Sequence, residues 1–217
     1  MRMRMPFLTG VLCLAYATPA FACDFYFNST FLRIPARPAF GGGMQTAFGD
    51  ATIWSFAGDV AMRLGDKAVV QPGVGFCTGG DNTDWFFGAG GAYRLMQSAS
   101  MTINLQTGLT YATISGGSQL RIPFGGSLLM RQNEMFSLYG GGSFVWSQVD
   151  FEDFESVSDI DPLVFGGLQY IAGPVVWSFG GQLLFADDIE FGILAGGSMN
   201  TGIHGGALRF LRSLIRK

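Results

Sequence analysis

A chain of 217 residues with 13 basic and 16 acidic side chains carries a formal charge of −3, which excludes the strongly basic surface that nucleic-acid binding needs. Its 33 glycines are about double the usual share of ~7 per cent. A disordered chain would not also carry 21 phenylalanines, so the glycines belong to folded structure.

The first 22 residues, MRMRMPFLTGVLCLAYATPAFA, place Arg2 and Arg4 before a short apolar run from Phe7 to Tyr16. They end on Ala20-Phe21-Ala22, the small-x-small pattern that signal peptidase cuts. A spanning helix needs about 20 apolar residues, so the run is too short for an anchor. Residues 1–22 are expected to be a cleaved export signal, with the mature chain starting at Cys23. A lipoprotein box is the alternative at this point, but Phe21 fits it poorly. Loss of Cys13 with the signal leaves Cys23 and Cys77, which an oxidising compartment allows to pair; two unrelated buried thiols are the other reading.

Residues 23–38, CDFYFNSTFLRIPARP, hold two prolines and no sustained alternation, and read as a periplasmic lead-in. From Ala39 onward ten stretches read as strands: 39–48, 52–64, 68–78, 85–96, 101–114, 119–131, 135–149, 162–172, 175–185 and 189–199. The second sets Trp54, Phe56, Val60, Met62 and Leu64 against Ser55, Ala57, Asp59, Ala61 and Arg63. The fifth sets Met101, Ile103, Leu105, Leu109 and Tyr111 against Thr102, Asn104, Gln106, Gly108 and Thr110. The sixth and ninth repeat this pattern, whereas Val164 and Phe165 on opposite faces leave the eighth ambiguous. Period two fits these stretches and a helical period does not. An aromatic-Gly-Gly unit recurs at Phe124, Tyr139, Phe165 and Phe179, at the uneven spacing of a meander rather than a solenoid.

A strand of 11 residues rises about 36 Å, which a tilt near 40° reduces to about 28 Å, close to the apolar band of an outer-membrane barrel. The expected fold is therefore an all-β, up-and-down antiparallel transmembrane β-barrel over residues 39–199, with ten strands and eight as the alternative count. A soluble sandwich would use strands nearer 5 to 6 residues. A soluble calyx would turn its apolar face inward and a charged face outward. Here the polar set is Gly, Ser, Thr, Asn and Gln with few charges, which suits a narrow wet or plugged interior.

Taken alternately, the connections form two classes. Those at 49–51, 79–84, 115–118, 150–161 and 186–188 include the longest, and by the usual asymmetry of such barrels they face outside. The others, at 65–67, 97–100, 132–134 and 173–174, face the periplasm. Charge divides the same way: 11 of the 16 acidic residues lie in or beside the first class, which holds no basic residue.

Leu64-Gly65-Asp66-Lys67 at a turn, Pro72-Gly73-Val74-Gly75-Phe76, the export signal and the alternating strands through Ile189 to Ser198 together resemble the outer-membrane β-barrel domain family, which includes opacity-like adhesins. The resemblance covers roughly 39–199 and implies a fold and an outer-membrane location in a Gram-negative-type bacterium rather than one role. The chain departs from the pattern by continuing past Met199, where such barrels commonly end on an aromatic strand terminus.

Acyl-transferring and deacylating barrels use a histidine with a serine or carboxylate, because imidazole moves protons near neutral pH. The single histidine, His204, falls beyond the last strand, and no G-x-S-x-G motif occurs, so no enzymatic activity and no cofactor are expected. The acidic segment with Asp150, Phe151, Glu152, Asp153, Phe154, Glu155, Asp159 and Asp161 is the candidate interaction loop. It lacks the order of a calcium loop, so a solvated acidic loop is favoured over a metal site. Asp59, Arg63, Arg94, Arg121 and Glu190 are expected to charge the lumen and to form ion pairs across it. Residues 200–217 form a basic tail with the spacing of a short amphipathic helix; a frayed tail is the alternative. Membrane lipid and lipopolysaccharide are the expected surroundings of a monomer. The leading role is structural or surface interaction, with a small passive pore next and a soluble exported β-protein third.

Overall fold

The computed structural model describes residues 35, 38–48, 52–79, 82–114, 116–151, 156–186 and 189–200. Ten strands follow one another: β1 (Ala39–Phe48), β2 (Thr52–Leu64), β3 (Ala68–Gly79), β4 (Asn82–Gln97), β5 (Met101–Ile114), β6 (Gly117–Arg131), β7 (Phe136–Phe151), β8 (Val157–Ala172), β9 (Val175–Phe185) and β10 (Ile189–Asn200). Each pairs antiparallel with its sequence neighbours, and β1 closes on β10 from Ala39 opposite Asn200 to Phe48 opposite Phe191. The result is a closed up-and-down barrel of ten strands, without helices among the described residues. The eight-strand count is excluded.

The alternation read from the sequence sorts the two faces. In β5, Leu105 and Leu109 are exposed on the outer face, while Asn104, Gln106 and Thr110 are buried inside. In β2, Trp54, Phe56 and Met62 point outward, and Ser55, Asp59 and Ala61 point inward. The ambiguous β8 resolves with Val164 outward and Phe165 inward. Large apolar side chains therefore cover the outside, with Phe124 and its cross-strand partner Phe144 both about 60 per cent exposed (60% and 62%). A soluble barrel would expose polar groups there, so the soluble alternative is set aside on the strength of this face.

The turns are tight. Gly116 and Gly173 take positive φ values of 78° and 60°, a backbone conformation that a Cβ disfavours, and this lets β5 turn into β6 and β8 into β9 over two residues. One expectation about the connections fails. The segment 150–161 is not a single long loop: β7 continues to Phe151, β8 starts at Val157, and Val149 pairs with Val157. Backbone pairing is indifferent to where apolar alternation stops, so the hairpin extends past the last lipid-facing residues. The 79–84 and 115–118 connections shorten for the same reason. Loop length then no longer separates the two ends of the barrel, and the asymmetry of charge alone does.

A folded barrel of this kind is expected to migrate faster on a denaturing gel before boiling than after. Leu109→Arg, near the middle of β5 on the outer face, is expected to cost about 2–4 kcal/mol, and Thr113→Arg near the rim about 0–1 kcal/mol. Urea unfolding in lipid vesicles measures both.

Candidate functional site

Two places can carry function: the lumen, built from the inward residues of all ten strands, and the acidic rim at the ends where β1 meets β2 and β7 meets β8.

The lumen wall is layered. Toward the acidic rim Ile53, Cys77, Phe86, Val145, Leu163 and Leu184 form an apolar cluster. Toward the other end Ala39, Ala61, Val69 and Ala92 form a second, of small side chains, and Leu129, Tyr139 and Phe165 a third. Between them runs a polar belt of Gln, Ser, Asn and Thr. Within it Gln71 Nε2 donates to Asp59 Oδ1 at 2.6 Å, Gln106 Nε2 to Ser127 Oγ at 2.8 Å, and Gln169 Nε2 to Ser178 Oγ at 3.3 Å. These belt residues are not wet: Gln71 and Gln169 are 0% exposed and Asn104 1%. Polar groups with so little access to solvent must find partners inside the barrel.

The inward aromatics pack against glycines of neighbouring strands. Phe86 lies opposite Gly75, and a methyl built on Gly75 would overlap the Phe86 ring. Phe165 lies over Gly141 in the same way, and the Tyr139 hydroxyl reaches across Gly167 to Gly180. Each ring lies against a glycine of the neighbouring strand, at a place where a Cβ would collide with it. The aromatic-Gly-Gly repeat contained part of this signal but not its sense. Tyr139 and Phe165 face the lumen, whereas Phe124 and Phe179 face outward, because the units fall on different parities of their strands.

The predicted lumen charges separate. Asp59, Arg121 and Glu190 are buried on the inner face. Arg63 instead sits at the β2–β3 turn, where it donates to the Gly65 carbonyl at 2.6 Å and pairs with Asp66. Arg94 hydrogen-bonds Gln97 at the end of β4, next to the β-bulge between Arg94 and Met96. These two arginines thus belong to the rim opposite the acidic one, because their strands end before their side chains reach the belt. Cys77 is disulfide-bonded, and the chain's other cysteines, Cys13 and Cys23, lie outside the described residues.

At the acidic rim Asp150 and Asp159 are exposed on the paired ends of β7 and β8, while Phe151 and Asp161 are half-buried. Gln148 donates to Asp150 at 2.9 Å, and the Ile160 amide to Asp159 Oδ1 at 2.7 Å. Glu152, Asp153, Phe154 and Glu155 lie outside the described residues, as do His204 and the rest of the basic tail. Among the described residues no group of three or more His, Cys, Asp or Glu side chains is placed to hold a metal ion.

On the outer face all four tryptophans, Trp54, Trp85, Trp146 and Trp177, point away from the lumen. Toward the acidic rim Phe76 packs between Phe56 and Trp85, with centroids 5.2 and 5.7 Å away, and Phe87 meets Tyr111 at 5.3 Å. Toward the other rim Phe136 meets Tyr170 at 5.0 Å. Two aromatic girdles flanking an apolar band are the arrangement that places amphipathic rings at both interfaces of a membrane.

A closed ten-strand barrel with this outer face is a transmembrane β-barrel of the outer-membrane type. No protein-family model matches the chain, and no curated protein matches it. Among solved structures it is similar to the attachment invasion locus protein Ail of Yersinia pestis, at 16% identity and a TM-score of 0.38 over 75% of this chain and 94% of that one. It is also similar to the translocator domain of the autotransporter NalP from Neisseria meningitidis, at 9% and 0.48 over 88% and 97%. A third is LpxR from Salmonella typhimurium, at 8% and 0.46 over 90% and 96%. No role passes to this chain from likenesses so distant.

Gly141→Val is expected to cost at least about 1–3 kcal/mol. Adding Phe165→Ala is expected not to restore stability, because the Gly126 carbonyl oxygen crowds the same position. Unfolding of the single and double variants in vesicles checks this.

Proposed function

We propose that the protein is a non-enzymatic outer-membrane barrel, exported by the segment 1–22, whose role is structural or surface interaction through the acidic rim. The observation that carries this reading is the burial of the polar belt: side chains such as Gln71, Asn104 and Gln169 have no contact with bulk water, as they would in an open passage. The acidic rim supplies the other half. The charged residues there stand on a hairpin that outlasts the lipid-facing alternation, so they reach beyond the membrane into solvent. On this reading the rim faces outside, lipid and lipopolysaccharide surround a monomer, and the surface ligand is a group complementary to carboxylates. A small passive pore is the second reading; among the described residues Asp59, Arg121 and Glu190 put charge on the inner face.

Purified protein in planar bilayers is expected to give no conductance steps, and steady conductance would establish the pore reading instead. Protease added to intact cells is expected to cut between Phe151 and Val157 and to leave the opposite turns whole. Cleavage only after the outer membrane is opened would reverse the orientation.

A further inference from the structure

We infer, resting on the surface-interaction role proposed above, that the β8 edge at Ser158 and Ile160 takes up an extended basic segment of a partner as an added strand, and that Asp159 guards this edge against neutral strands. Two ladders of unequal length create the edge. β7 pairs with β8 from Val157 onward, whereas β9 pairs with it only from Leu163, so β8 outlasts β9 by six residues, about 20 Å of strand. Pro162, which has no N–H to give, stands where the second ladder ends.

The direction of the backbone follows from the ladder to β7. The Ile171 amide donates to the Met135 carbonyl at 2.7 Å, and the register runs without a shift from Tyr170 opposite Phe136 to Val157 opposite Val149. Antiparallel residues turn their main-chain groups alternately to one neighbour and the other, so the odd-numbered residues of β8 turn to β7 and the even-numbered ones away from it. Ser158 and Ile160 therefore present N–H and C=O groups on the side where β9 has already ended. A row of this kind is a template for another strand. One of its groups is covered from within: the Ile160 amide donates to Asp159 Oδ1 at 2.7 Å. That leaves the Ser158 N–H and the carbonyls of Ser158 and Ile160 to an incoming chain.

Side chains along the edge define the partner. Val157 and Ile160 are 48% and 60% exposed, and Asp159 is exposed on the same face as Val157 while Ile160 stands on the other. A strand laid beside them meets a carboxylate on one face and an apolar side chain on the other, which calls for lysine or arginine alternating with apolar residues. A cation beside Asp159 draws the carboxylate off the Ile160 amide and so opens one more main-chain group, whereas a neutral strand leaves it covered. A second copy of this chain is a poor occupant, because pairing two β8 edges over so short an overlap brings Asp159 toward Asp159. Charge and proline are the usual means of blunting an edge, and here the charge selects the partner by its sign.

The test uses the full protein in lipid nanodiscs and fluorescent synthetic peptides at physiological salt. A short peptide of alternating lysine and valine is expected to bind and to slow hydrogen exchange at the Ser158 amide. The same peptide N-methylated at every residue keeps its charge but cannot donate, and it is expected to bind at least about tenfold more weakly. Equal binding of the two, or no binding of the first, overturns the inference. With threonine in place of lysine, binding to the wild type is expected to weaken, and Asp159→Ala is expected to narrow that preference; an undiminished preference overturns the guard. Ser158→Pro removes an edge N–H without touching the ladder to β7, so it is expected to weaken the lysine–valine peptide severalfold while the barrel stays heat-modifiable. Unchanged binding counts against the edge, and if that variant does not fold, the N-methylated peptide decides. Nanodiscs leave both rims open to solution, so a reversed orientation in cells would sink the surface role proposed above while peptide binding would still rule on the edge.

Discussion

Every other feature of this molecule depends on closing the backbone hydrogen-bond ladder. In hydrocarbon an unsatisfied amide or carbonyl costs several kcal/mol, so a sheet can cross a membrane only if it has no edge. The pairing of β1 with β10 over ten residue pairs removes the last edge. All side-chain choices are made inside that constraint. The outer face is free to be apolar because the backbone needs nothing from the solvent, and the inner face is free to be polar because lipid never reaches it.

Curvature is the second demand, and glycine answers it together with aromatics. Ten strands bring carbonyl oxygens of one strand close to the Cα of the next, as with the Gly126 oxygen beside Gly141 and the Phe56 oxygen beside Gly75. A Cβ at these places would collide with backbone that has nowhere to move. The same bare positions receive Phe165, Phe86 and Tyr139, which cover the exposed ladder while staying close to the wall. Bending the sheet and seating its inward rings are thus one arrangement.

Strand positions were legible in the residues because a half-buried strand must alternate, and the bounds of β1, β2, β5 and β9 agree with that pattern to the residue. The bounds of β7 and β8 did not follow from it. Above the membrane both faces of that hairpin meet water, so alternation carries no information there, and acidic residues that look like a loop continue a strand. Arg63 and Arg94 have the parity of lumen residues, but their place near a turn lets flexible stems reach Asp66 and Gln97. Parity predicts the face of a side chain and not the height of its charge.

The sequence by itself determined that this chain is a barrel with lipid outside, because the period-two alternation of large apolar and small polar residues has one stable solution in a membrane. It also determined that carboxylates gather at one rim. Only the tertiary structure decided that there are ten strands in a closed ring, that Phe165 turns inward while Val164 turns to lipid, and that Cys77 lies bonded within the lumen. Those facts depend on which strand is next to which and at what register, and cross-strand neighbours such as Phe86 and Gly75 meet only after the sheet has closed.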